Sequence, residues 1–283
     1  MLIAHFFDLI PIWALLIGTI LVMVLFIEFG FRLGKNAQAG SKKAQTAQVR
    51  AIMGAGLGLL AFMLAFTFAT AQSHFEARVQ SLAEEARIAR NAFMQADLLT
   101  EPRRSQAKRL LRDYVQLRSD DRTFKGTVVK ERLADLLQQS EQIQAQLWAL
   151  AAQSHQLTKN KKTESKENDL FMVSILALTD IHYTRVHSAI MNRIPFTIWM
   201  TLYLMAILSM IIMGYQAGLT DRRSPVATMT LAVAFSAVII LITDLDRPIM
   251  SFFDINKQLL VDLSDYMEAD LRLEYYPGEQ KTE

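Results

Sequence analysis

Cysteine is absent from the 283-residue chain, which excludes a disulfide framework, cysteine-ligated zinc and thiol catalysis. Net charge is scarce as well. Thirty Lys and Arg stand against 28 Asp and Glu, a balance of +2 that leaves no basic footprint for a nucleic-acid partner. The first ten residues, MLIAHFFDLI, hold no Lys or Arg. They therefore lack the positive n-region of a cleaved secretory signal, and the first apolar run is expected to be retained as a span. No Gly/Pro-rich linker divides the chain, which contains 11 Gly and 6 Pro, so its parts are expected to form one body.

What the chain does have is apolar length. Apolar residues make up 52%, charged residues 20%, and the mean hydropathy is +0.19, the balance of a membrane protein. Four uncharged runs are long enough to cross a bilayer, which takes roughly 20 residues. They are Leu9 to Ile27, closed by EFGFRLGK; Ala51 to Ser73; Ile194 to Thr220; and Ser224 to Thr243, closed by DLDRP. The third opens with Pro195 and carries Trp199, Tyr203 and Tyr215 as candidate interfacial aromatics. A fifth run, Leu170 to Thr179, lies between Asp169 and Asp180 and fits a buried helix rather than a span.

Short loops set the orientation. Arg32, Lys35, Lys42, Lys43 and Arg50 follow span one with no acid among them, and Asp221, Arg222 and Arg223 join spans three and four. Positive short loops mark the cytoplasmic side. The expected fold is an all-α membrane protein with four transmembrane helices and a long-helix soluble bundle inserted between the second and third. Its parts are 1–73 (spans one and two with the basic loop), 74–193 (the insert), 194–250 (spans three and four) and 251–283 (an amphipathic segment and tail). The insert and both termini are then expected outside.

Apolar residues at Phe75, Val79, Leu82, Ala86, Ala89, Phe93 and Ala96 alternate steps of four and three, a heptad seam. The seam extends back through Gln72, Phe68, Ala65, Ala61, Gly58 and Gly54. One rod of about 45 residues, roughly 65–70 Å long, is predicted to carry span two out of the bilayer. After LLTEPRRSQ, with Thr100 and Pro102 at a restart, a helix places Ala107, Leu110, Leu111, Tyr114 and Val115 on one face. SDDRTFKGT is the next predicted loop. A helix from about Val128 to Leu157 follows, carrying Leu133, Leu136, Ile143, Leu147 and Leu150. TKNKKTESKEND reads as an exposed loop. The helix from about Leu170 to Arg193 is expected to run into span three as a second rod.

No residue set indicates an enzyme, a cofactor or a metal. The histidines are His5, His74, His155, His182 and His187; the close pair in DIHYTRVH is five apart, off the four-residue spacing of a helical metal site. GAGLG lies inside an apolar helix without a following Lys-Ser/Thr, so it reads as helix packing rather than a phosphate loop. Glu84–Glu85 and Asp120–Asp121 read as solvated neighbours.

Span two carries the candidate site. At 100° per residue Gly54, Gly58, Ala61 and Ala65 share a face suited to helix packing, and Ala55, Leu59, Phe62, Phe66, Ala69 and Ser73 share the adjacent one. Two readings are open: the helix packs in its own bundle with Phe62 and Phe66 as core, or copies surround an axis and the Phe face lines a constriction that gates by dewetting. Charged residues stand at the boundaries: Glu28, Glu76, Arg78, Asp244, Asp246 and Arg247. Glu76 and Arg78 are candidates for a charged ring at a pore mouth. DLDRP is expected to end span four, with Arg247 paired to a neighbouring helix or a lipid phosphate.

EFGFRLG, LLAFMLAFTFATAQSHFEARV, ADLLTEPRR…RLLRDYVQLR and DLDRPIMSFF occur in order between about Glu28 and Leu263, and in these blocks the chain resembles the bestrophin-like domain family. The resemblance implies a bacterial inner-membrane protein with four membrane helices and a helical insert. The family's name links it to bestrophins, pentameric anion channels with a hydrophobic neck on the second membrane helix. It carries over the placement of a pore around span two and no individual residue. Two functions are expected: an oligomeric, anion-leaning channel, with Arg78, Arg87, Arg90, Arg103, Arg104 and Arg112 concentrating anions in a vestibule, or a non-conducting envelope scaffold or sensor whose insert binds a protein or lipid. The expected partners are membrane lipids, small inorganic ions and further copies of the chain, a pentamer on the bestrophin precedent.

Overall fold

The computed structural model describes residues 10–37, 43–119, 129–158, 162–191, 193–220, 224–247 and 258–275. Lys42, Asp221, Arg222, Arg223, His5 and the predicted loop at 120–127 lie outside them. Eight helices are found among the described residues: α1 Ile12–Ala37, α2 Lys43–Ala96, α3 Arg103–Ser119, α4 Val129–Thr158, α5 Lys162–Met191, α6 Phe196–Thr220, α7 Pro225–Asp246 and α8 Gln258–Tyr275. Four of them (α1, α2, α6 and α7) are long and apolar enough to cross a membrane. The chain divides into two compact units, Met1–Glu76 with Asn192–Phe253, and Ala77–Met191 with Asp254–Glu283.

In the first unit α1 packs most extensively on α6, and also meets α7. The core joins Met23 and Ile27 of α1, Leu60 and Leu64 of α2, Leu202 and Met210 of α6, and Ile239 and Ile242 of α7. Lipid removes the hydrophobic drive for helices to associate, so close backbone approach must supply the contact. Glycine supplies it. A Cβ at Gly30 would overlap the carbonyl oxygen of Ile211, and one at Gly34 that of Tyr215. Reciprocally, Gly214 meets the Ile27 carbonyl and Gly218 that of Phe31. Two G-x-x-x-G pairs therefore interlock, and all four glycines are buried. Hydroxyls inside the spans bond backward to their own helix: Thr19 donates to the Leu15 carbonyl at 2.8 Å and Thr67 to that of Met63 at 2.7 Å, which satisfies both donors where no water is at hand.

The second unit is built on α2 from Ala77, with α3, α4, α5 and α8. Its core takes Leu82, Ala86, Ala89 and Phe93 from α2; Ala107, Leu111, Tyr114 and Val115 from α3; Leu147 and Leu150 from α4; and Phe171, Ile175 and Leu178 from α5. The short apolar run at Leu170 is thus a core helix, as its length predicts. Leu260, Leu263 and Met267 of α8 complete the cluster, so the C-terminal segment belongs to this unit. Lys108 of α3 bridges Asp97 at 2.6 Å and Asp270 of α8 at 2.7 Å. Burial alone would lower its pKa, but the two carboxylates outweigh that effect and raise it.

Helix α2 is unbroken over 54 residues, so the predicted continuous rod is present and begins earlier than expected. Three expectations differ from the structure. TESKEND, read as loop, lies in α5; it contains good helix formers and neither Gly nor Pro. The second rod is absent: α5 ends at Met191, and Arg193 to Pro195 are not helical before α6. Pro195 accounts for the break, since a proline disfavours helical geometry at the residue before it. Pro102 lies just before α3 rather than in its first turn, joined to Glu101 by a cis bond.

Candidate functional site

Helix α2 presents two unlike sides in the first unit. Leu60, Leu64, Thr67 and Ala71 are buried, spaced four, three and four apart, the seam that holds the helix to its own unit. The predicted seam through Gly54, Gly58, Ala61 and Ala65 is displaced from this one: all four are exposed, and nothing lies within 4 Å of a Cβ built at Gly54 or Gly58. The reason is volume. Leucine fills a core, while a small-residue stripe contributes only where another backbone comes close.

Ala55, Leu59, Phe62, Phe66, Ala69 and Ser73 are all exposed as well. Phe62 keeps 67% and Phe66 58% of its surface accessible. Neither phenylalanine is core in a single chain, which removes the reading of this face as packed in its own bundle. The structure thus brings the six candidate pore residues together on one open face with the small-residue stripe beside it. Membrane helices ordinarily expose large apolar side chains to lipid, as α1 does with Trp13, Ile17, Leu21, Leu25 and Phe29. On α2 the open surface is instead mostly Gly, Ala and Ser, with bulk at Ile52, Leu59, Phe62 and Phe66.

The boundary charges have local partners. Glu28 accepts from Arg32 at 3.2 Å, one turn on. Glu76 is exposed and accepts from Gln72 at 2.9 Å, whereas Arg78 is buried on the Leu82 side of the helix. A ring built from both is therefore not what this geometry offers. Asp246 accepts the backbone N–H of Ile194 at 2.9 Å, and Arg247 donates to the Ile10 carbonyl at 3.0 Å. The DLDRP end of α7 thus ties down the start of α6 and the approach to α1, in line with its reading as a terminator. Asp244 is buried.

The arginines expected to form a vestibule are less available than their number suggests. Arg87 pairs with Glu84, Arg104 with Glu101 and Arg112 with Asp113. Arg90 lies 6.0 Å from the Tyr266 ring centroid, Arg103 is half-buried, and Arg78 is buried.

Glu85 corrects the sequence reading. It is fully buried rather than solvated, and it gathers polar groups from α3 and α5 directly and from α4 through Tyr114. Tyr114 donates its hydroxyl to Glu85 Oε1 at 2.6 Å, and Arg118 donates to the same oxygen at 3.2 Å. Arg185 pairs with Oε2. Tyr114 also meets His182 Nδ1 at 3.2 Å and accepts from Gln144 at 3.5 Å. Burial, then the Arg118 charge, lowers the His182 pKa to about 4. Burial raises the Tyr114 hydroxyl to about 12 and lowers Arg185 to about 10. The sequence held the signal: Glu85 stands three residues after Leu82 and four before Ala89, on the seam itself. Among the described residues no cluster of His, Asp and Glu is arranged to hold a metal; the His187 side chain lies outside them.

The bestrophin-like domain matches residues 17–258, which include α1 from Ile17, the other three apolar helices in full, and the second unit up to the start of α8. No curated protein matches the chain, and no solved structure does. With four helices fit to cross a membrane and a match over most of its length, the chain belongs to the bestrophin-like domain family.

Proposed function

We propose that the protein is an oligomeric membrane channel for small inorganic ions, anions first, in which copies of α2 surround an axis. Phe62 and Phe66 form a hydrophobic constriction, with Ala55, Leu59, Ala69 and Ser73 lining the rest. The observation that carries this reading is the open small-residue face of α2. Gly54 and Gly58 have open space where a Cβ would go, and Ala61 and Ala65 are exposed, yet these are the residues that let helices approach in lipid. An apolar neck of this kind conducts when wetted and blocks when dry. The basic residues Arg32, Lys35, Lys42, Lys43 and Arg50 between the first two apolar runs support an orientation with that segment in the cytoplasm, and with the second unit and both termini on the periplasmic side of a bacterial inner membrane.

Purified protein reconstituted in planar bilayers should pass current, with a reversal potential in a KCl gradient that lies toward the chloride value. Phe66→Ala should raise open probability or conductance several-fold. Silent bilayers, with insertion confirmed, would overturn the channel. One observation favours the second reading, a scaffold that binds a protein partner: Leu170, Val173, Leu176 and Tyr183 form an exposed apolar row on α5. Silent bilayers together with loss of a co-purifying partner on Val173→Asp would establish it. A reporter fused at the C-terminus tests sidedness: cytoplasmic activity contradicts the orientation proposed.

A further inference from the structure

We infer that Glu85, Tyr114, Arg118, Gln144, His182 and Arg185 form a latch across α2, α3, α4 and α5 that is closed at neutral pH and opened by protonation of His182. The inference stands whether or not the protein conducts.

The geometry fixes the protonation state that closes the latch. Tyr114 has a single hydroxyl proton, and the short 2.6 Å contact directs it to the Glu85 carboxylate, the stronger, charge-assisted acceptor. The Tyr114 oxygen is then an acceptor toward both Gln144 Nε2 and His182 Nδ1. His182 must therefore carry its proton on Nδ1, and acid adds the second proton at Nε2. Four helices depend on this one arrangement: α2 through Glu85, α3 through Tyr114 and Arg118, α4 through Gln144, and α5 through His182 and Arg185.

Charge supplies the trigger. One buried carboxylate already faces two guanidiniums, Arg118 and Arg185, so the cluster holds an excess of one positive charge. An imidazolium would add another beside Arg118 in a low-dielectric interior. Glu85, Tyr114, Arg118, Gln144 and Arg185 are the groups facing His182 across the latch. Helix α8 packs on α3, and its charged contact, Asp270 with Lys108, stands nearly two turns before Tyr114 along α3. The His182 pKa of about 4 against about 6.5 in an open chain means the open form takes up the proton first on acidification.

Amide hydrogen exchange on the full-length protein in lipid nanodiscs tests this at pH 7 and pH 5, with each rate corrected for intrinsic exchange. The opening constant of residues 77–96 and of α5 should rise roughly 20-fold on acidification, and His182→Gln should flatten the response. A wild-type rise below threefold, or an undiminished rise in His182→Gln, would overturn the inference. If that variant does not fold, a chain carrying Gln at positions 5, 74, 155 and 187 leaves His182 as the single histidine for nitrogen-15 NMR. A neutral ring protonated on Nδ1 that persists below pH 5 supports the latch. A ring protonated on Nε2, or fully charged by pH 6, contradicts it.

Discussion

Two glycine stripes of the same chemistry have different fates in this molecule. Gly30 and Gly34 of α1 interlock with Gly214 and Gly218 of α6 so closely that a Cβ at any of the four would collide with backbone. Gly54 and Gly58 of α2 have open space where a Cβ would go. In lipid, small residues contribute little except by admitting another backbone. The first stripe therefore explains how one chain holds its spans together, and the second is a surface left open among the described residues. A second copy is the counterpart proposed here.

Several substitutions break or sharpen that contrast. The largest effect is expected at the filled stripe. Gly214→Leu drives a side chain into the Ile27 carbonyl and the Phe31 nitrogen, and it should cost about 3 kcal/mol or more, the upper range of overpacking. Thermal melts in detergent should show a population that no longer unfolds cooperatively.

Acid comes next, and through His182 it acts on the second unit. The folded His182 pKa is depressed to about 4 against about 6.5 unfolded, so its contribution is whole above the unfolded value and declines as pH falls between the two. The loss should reach at most about 3 kcal/mol. A denaturant titration of the second unit at successive pH values should show it, without a matching change at the glycine contacts.

Gly58→Leu is expected to leave the single-chain fold within about 0.5 kcal/mol, because it fills open space. The same change should dissociate the assembly, read as a shift to lower mass in native mass spectrometry. Equal destabilisation by Gly58→Leu and Gly214→Leu would erase the contrast. The smallest effect is a control at neither stripe: Arg87→Ala removes an exposed ion pair with Glu84 and should leave the thermal melt unchanged.

Much of this architecture was legible in the sequence, because apolar length and period report which face of a helix is buried. The four spans, the unbroken α2 and the inward faces of α3 and α4 all follow from local pattern. What local pattern withholds is the partner. Nothing in the spacing of Gly30 and Gly34 names Gly214 and Gly218, nearly two hundred residues away, and Leu260, Leu263 and Met267 give no sign that they close the second unit's core. Glu85 escaped for a related reason. Beside Glu84 it resembles a solvated pair, and only its place on the Leu82–Ala89 seam sets it inside. The candidate pore face was readable as a set of six residues, and the structure shows the set to be open; whether they meet across an axis depends on other chains.

The absence of cysteine makes the decisive measurement simple. Single cysteines placed at Phe62, Phe66, Leu60 and Leu64 in otherwise unchanged protein, oxidised in native membranes and resolved without reductant, report directly on what α2 faces. Intermolecular disulfides are expected at positions 62 and 66 and none at 60 and 64, which are buried within the chain. Monomer at all four positions, in protein shown to be folded, would contradict it.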